Sequence, residues 1–182
     1  EGSIDSIPIC NLSVEPFETD IQYQEEDGHF LMNIATMIHI VSLCRQQNLT
    51  PVEKMVDFLT WNYKNLLISE CNLSYAAMLF TNQLGIRAPK NSRSDDFEKV
   101  MAGCKNQAWD LSYLSNWSCF HYDENNMDEV FLFATNDIQL KTIFVNTYAS
   151  GGVKALLETV FNKRDACEVF DVINTNSGSN RI

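Results

Sequence analysis

The run Val130-Phe131-Leu132-Phe133-Ala134 limits the folds open to this chain more than any other segment. It is apolar throughout and of strand length, and it lies between the polar loop His121–Glu129 and the turn Thr135-Asn136-Asp137. A strand without polar alternation is covered on both faces, as the central strands of parallel sheets are. This run passes at once into a helical pattern over about Ile138–Tyr148. A strand that steps straight into a helix is the building unit of α/β domains, whose ligands gather at the carboxyl ends of the strands. The expectation is a helix-rich, three-layer α/β domain around a small, mainly parallel sheet.

Helical patterns account for most of the remaining chain. One spans about His29–Gln46. Thr50-Pro51, with Glu53 three residues after the threonine, forms a capping box with proline at the first helical position and opens a helix that runs to about Lys64. Leu66–Ile68 has the character of a very short strand. A third helix covers Leu73–Leu84 and stops at Gly85. A loop over Arg87–Ser94 leads to a fourth, capped by Ser94 and Asp95 and running to Trp117. There Phe97, Val100, Met101, Cys104, Ala108 and Leu111 recur at helical spacing and define one buried stripe. After the break Ser150-Gly151-Gly152 a helix resumes over Val153–Phe161, and Cys167–Ile173 reads as an edge strand. Residues 1–28 read as an irregular acidic segment with β-like pieces at Ile4–Ile9 and Ile21–Tyr23, and residues 174–182 as a flexible tail. At 182 residues and 45% apolar, the chain suits a single domain with one core.

Charge narrows the function classes. The chain carries 24 acidic against 13 basic residues, a net charge of −11. Nucleic acid is bound non-specifically through Lys and Arg that neutralise phosphates, so a dedicated DNA-coating or membrane-surface role is disfavoured, while a local basic strip is not. No apolar run approaches the roughly 18 residues that a membrane span requires. The six cysteines, Cys10, Cys44, Cys71, Cys104, Cys119 and Cys167, include no C-x-x-C pair, which speaks against structural zinc. Free thiols in a reducing cytoplasm fit this length better than a disulfide framework. N-x-[ST] triplets at Asn11, Asn48, Asn72 and Asn116 are read as chance in a chain rich in Asn, Ser and Thr. The first residues, Glu1-Gly2-Ser3, include neither Met nor a signal segment.

The residues best placed for chemistry lie on the fourth helix and at the turn that follows the apolar run. On the fourth helix Gly103, Asn106 and Asp110 share a face beside the buried stripe, which sets Asp110 at the rim of a cleft. Asp137 follows the end of the expected strand. Two carboxylates meeting from different elements suit Mg²⁺ or Mn²⁺, which take oxygen ligands and keep several waters. The plainer reading makes Asp137 a first-turn acid that complements the helix dipole and Asp110 a solvated residue. Arg87, Lys90 and Arg93 form the only concentrated positive segment. They either steer RNA phosphates toward the carboxylates or belong to a solvated loop. His29, His39 and His121 are too scattered for a zinc motif, and His39 reads as a core residue.

Asn106-Gln107-Ala108-Trp109-Asp110-Leu111, followed by an apolar strand ending in Ala134-Thr135-Asn136-Asp137, resembles the second half of a PIN-like nuclease domain over roughly residues 95–148. The resemblance implies a single PIN-like domain over residues 1–182. It implies that Asp110 and Asp137 hold the metal and serve catalysis, and that Asn136 orients water or substrate. Glu70 is then the nearest counterpart of the family's acid on an intermediate helix, with Glu53 behind it. The family opens with an apolar strand ending in Asp. Here Asp5 precedes its apolar run and Asp20 follows no strand. That strand would lie upstream of Glu1, or the chain would be an inactive relative. The implied activity is that of a Mg²⁺- or Mn²⁺-dependent ribonuclease. The alternative, from charge, is an acidic interaction module, such as an immunity or anti-defence protein. It would present Glu15–Asp27 and Asp123–Glu129 to a basic protein partner.

Overall fold

Eight consecutive buried residues, Cys71–Met78, mark the middle of the molecule. The computed structural model describes residues 28–122, 131–149 and 151–177. The buried stretch belongs to α3 (Glu70–Phe80), which lacks the polar face of an ordinary surface helix and is enclosed on all sides. Around it stand α1 (Gly28–Arg45), α2 (Pro51–Asn65), α4 (Phe97–His121), α5 (Ile138–Phe144) and α6 (Gly152–Val160). α5 continues into a π-helical turn over Val145–Ala149, and α7 (Lys163–Ser177) packs mainly on α2. Fully enclosed side chains such as Phe58, Met37, Leu111 and Leu157 fill the space between these helices, each contributing about 1.5–3 kcal/mol of burial.

The expected α/β sheet is not present: among the described residues every regular element is helical. Phe131–Asp137 forms no regular element and pairs with no strand among the described residues. Its side chains alternate, Phe131 and Phe133 half-buried and Leu132 86% exposed, so the segment is not covered on both faces. Aromatic contacts hold it in place of a ladder. Phe131 stacks on Phe120, Phe133 stacks on Phe144, and the Trp117 indole donates to the Phe131 carbonyl at 3.0 Å. The apolar run therefore reports ring anchorage on α4 and α5.

The edge strand expected at Cys167–Ile173 is likewise helical, as part of α7. Ala166, Val169, Phe170 and Ile173 follow helical spacing and face inward, and Asn162 starts the helix by accepting from the Arg164 and Asp165 amides. The tail expected from Asn174 is helical as far as Ser177. Leu66–Ile68 is irregular, and α3 starts at Glu70 and ends at Phe80, earlier at both ends than its pattern suggests. The β-like pieces at Ile4–Ile9 and Ile21–Tyr23, the acidic stretches Glu15–Asp27 and Asp123–Glu129, and Val130 lie outside the described residues.

Local signals fare better. Thr50 and Glu53 form the reciprocal capping box, with Pro51 at the first helical position. Asp96 rather than Asp95 caps α4, and Ser94 accepts from the Asp96 amide. His39 is part-buried, stacked on Trp61 and 3.2 Å from Asp57. Asn72 is 4% exposed and donates to Asn33, as befits a chance sequon. Cys44, Cys71, Cys104, Cys119 and Cys167 are unpaired. No helix among the described residues is long and apolar enough to cross a membrane.

Candidate functional site

α4 is the ruler along which the site is built. Cys104, Ala108, Leu111 and Leu114 are wholly buried and fix which way the helix faces. Gly103, Gln107 and Asp110 recur at four and three residues along one flank of that stripe. Gly103 lies under the Lys90 carbonyl, Gln107 is buried and receives a hydrogen bond from the Gln139 amide at 3.1 Å, and Asp110 is half-buried. Asn106, on the same turn, is exposed.

Asp137 stands at the start of α5, and its negative charge bears on Asp110. Its amide donates to Thr135 Oγ1 at 3.1 Å, and its Oδ1 accepts from the Leu140 amide at 3.0 Å, which makes it the N-cap of α5. The plain reading of Asp137 as a helix-start acid thus holds in its capping form. The cap commits one carboxylate oxygen, Oδ1. Burial pushes the Asp110 carboxyl above the usual carboxylate range, and the negative charge of Asp137 pushes it further.

Asp110 edges a cleft of about 500 Å³ between α4 and the segment before α5, lined also by Trp117, Phe120, Phe133 and Thr135 among others. Behind this wall Trp117 packs on Phe144 at 4.8 Å, His121 at 4.6 Å and Tyr148 at 5.5 Å between ring centroids. The outcome is an aromatic slot with one half-buried acid, Asp110, in its wall, while Asp137 caps the helix just beyond Thr135.

The other expected site residues are distributed differently. Asn136 is exposed in the turn between Thr135 and Asp137. Glu70 lies in the first turn of α3 and lines a separate pocket of about 310 Å³ with Ser69, Ser115 and Tyr148. Among the described residues no third carboxylate, thiol or imidazole joins the pair to make a three-ligand cluster. Beneath the Glu70 pocket the Cys71 thiol contacts the Tyr148 hydroxyl at 2.9 Å, and burial pushes that thiol up to about 11, so it is inert at neutral pH. Arg87, Lys90 and Arg93 line another cleft, which shares no lining residue with the carboxylate slot.

Sequence reasoning missed Gln107 and Gln139. The Gln139 side chain accepts from the Arg87 amide at 2.8 Å and donates to Gln107, joining the basic loop, α5 and α4. The one available signal was a glutamine falling on the flank shared by Gly103 and Asp110. Comparison of the chain with family models, with curated proteins and with solved structures finds no match.

Proposed function

We infer that the slot between α4 and α5 hydrolyses phosphodiester bonds of RNA with a divalent cation, Mg²⁺ or Mn²⁺. The observation that carries this reading is a half-buried acid, Asp110, in the wall of an aromatic slot, with a second acid, Asp137, whose negative charge bears on it from the start of α5. Mg²⁺ is commonly held through one or two carboxylates, its other positions going to water and phosphate oxygens, so the residues present fit such an ion. When bound, the ion supplies an activated water and neutralises charge on the leaving oxygen. Asp137 enters with its orientation already set by the Leu140 cap, and Asp110 with its solvation already reduced. Trp117, Phe120 and Phe133 offer ring faces, and base stacking on such faces is worth about 1–3 kcal/mol per base. Asn136 supplies an exposed amide in the same turn for orienting water or substrate. Unpaired Cys44, Cys71 and Cys104 support a reducing, cytoplasmic setting.

A fluorescent single-stranded RNA oligomer, incubated with wild type, Asp110→Asn and Asp137→Asn, tests the reading. Cleavage is expected from the wild type alone, and only with Mg²⁺ or Mn²⁺. Cleavage that survives both substitutions, or none from the wild type with either ion, removes it. What then remains is the alternative of an acidic surface for a basic protein partner.

A further inference from the structure

A larger cleft, of about 1090 Å³, opens where the end of α1, the first turn of α2, the end of α3 and the loop of residues 86–95 come together. Arg45, Lys54, Arg87, Lys90 and Arg93 line it, with Asp95 the one acidic residue in its wall. This gathering runs against the composition, in which 24 acids outnumber 13 bases. Among the described residues the ion pairs are His39–Asp57 and Lys99–Asp96, which involve none of the five.

Like charges left together repel, so other bonds must hold them. The Arg45 guanidinium donates to the carbonyls of Ser92 and Ser94 at 2.9 and 2.7 Å. The Tyr75 hydroxyl donates to the Arg87 carbonyl at 2.9 Å, and the Arg87 amide is tied to Gln139. Lys90 is seated on Gly103. The loop is thereby fixed at its start, middle and end. Burial pushes the Cys44 thiol on the cleft wall up, while Lys54 and Arg93 pull it back, so cations from two separate elements bear on one point.

We propose that this cleft binds a compact polyphosphate, the linked phosphates of an inorganic chain or of a nucleotide tail. Such a ligand packs several negative charges into one small volume, which matches five cationic residues gathered around one cleft on a fastened backbone. A nucleic-acid strand spreads its charges out and gains affinity from aromatic platforms. The only aromatic residue in this wall is Phe80, which is 9% exposed. The volume is that of a small-molecule site.

Calorimetric titration in metal-free, low-salt buffer tests the proposal, with tripolyphosphate and ATP as ligands and wild type, Asp137→Asn and a Lys90→Gln/Arg93→Gln double variant as proteins. Wild type and Asp137→Asn should bind tripolyphosphate alike, with affinity that falls as KCl rises. The double variant should bind at least about tenfold more weakly, through loss of charge-assisted contacts. Its unliganded melting temperature should stay the same or rise slightly, because both residues are exposed and their loss relieves like-charge repulsion. Lys54→Gln, on a separate element, should weaken binding in the same direction and serves if the double variant does not fold. Equal affinity for ATP and tripolyphosphate places recognition in the phosphates alone, and tighter ATP binding assigns the nucleotide source. No binding at millimolar tripolyphosphate, or undiminished binding by the variants, overturns the proposal. So does tighter binding of single-stranded RNA at equal phosphate concentration. Because the titration contains no metal, its failure is separate from any failure of the hydrolysis assay.

Discussion

The carbonyl oxygen of Lys90 lies 1.8 Å from the point that a β-carbon on Gly103 would occupy. The basic loop thus rests on α4 through the absence of a side chain. Glycine in a helix interior costs about 1 kcal/mol relative to alanine, so Gly103 serves the loop at the expense of the helix. Gly103→Ala should destabilise the protein by about 2–3 kcal/mol, because overlap with a backbone carbonyl is relieved only by shifting the loop. Urea denaturation reads this directly. A neutral or stabilising effect would show that the loop is not seated there.

Asp137 has two separable properties, a capping oxygen and a charge. Asparagine retains the cap on α5 while removing the charge beside Asp110. Asp137→Asn should therefore melt at or slightly above the wild-type temperature without metal, and should lose any stabilisation by Mn²⁺. Asp137→Ala also removes the acceptor of the Leu140 amide and should cost about 1 kcal/mol. Identical Mn²⁺ responses in wild type and Asp137→Asn would remove the ion from this site.

Asp110 sets a pH dependence of definite sign. Burial first and Asp137 second raise its folded carboxyl above its ordinary value of 3.8. Between 3.8 and that raised value the folded state binds more protons than the unfolded state, so this group's contribution to stability falls as pH rises through the window. Asp110→Asn should flatten that part of the stability profile and raise stability at neutral pH. Chemical denaturation at closely spaced pH values would contradict this if wild type and variant ran parallel.

Asn33 joins three helices through buried polar contacts. It donates to Ser112 and accepts from Asn72, both at 2.7 Å, and it is 1% exposed. Asn33→Ala leaves the Asn72 amide and the Ser112 hydroxyl without these bonds, which should cost about 2–3 kcal/mol. An unchanged denaturation midpoint would show that the network is replaced by water at no cost.

The features written in the sequence are those that a few neighbouring residues decide. Thr50 and Glu53 bond each other across three residues, Asp137 caps the helix beginning next to it, and the apolar stripe of α4 repeats every three or four positions. Backbone geometry and side-chain spacing suffice for these, so the locations of α1, α2, α4 and α5 were legible. Val130–Ala134 and Cys167–Ile173 were misread because a strand is defined by a partner elsewhere in the chain. A short apolar run gives the same signal whether it pairs in a sheet, is pinned by Phe120 and Phe144, or continues a helix such as α7. Asp110 could be named from its place beside the α4 stripe and Asp137 from the turn after that run, but how strongly one charge acts on the other depends on how α4 and α5 pack. Of the cationic cleft, the segment with Arg87, Lys90 and Arg93 was legible, but its meeting with Arg45 and Lys54 was not. Those two stand far from the loop along the chain and share one space with it only because the fastened loop lies against the ends of α1 and α2. Electrostatic repulsion alone would keep those charges apart, and it takes the rest of the fold to hold them together.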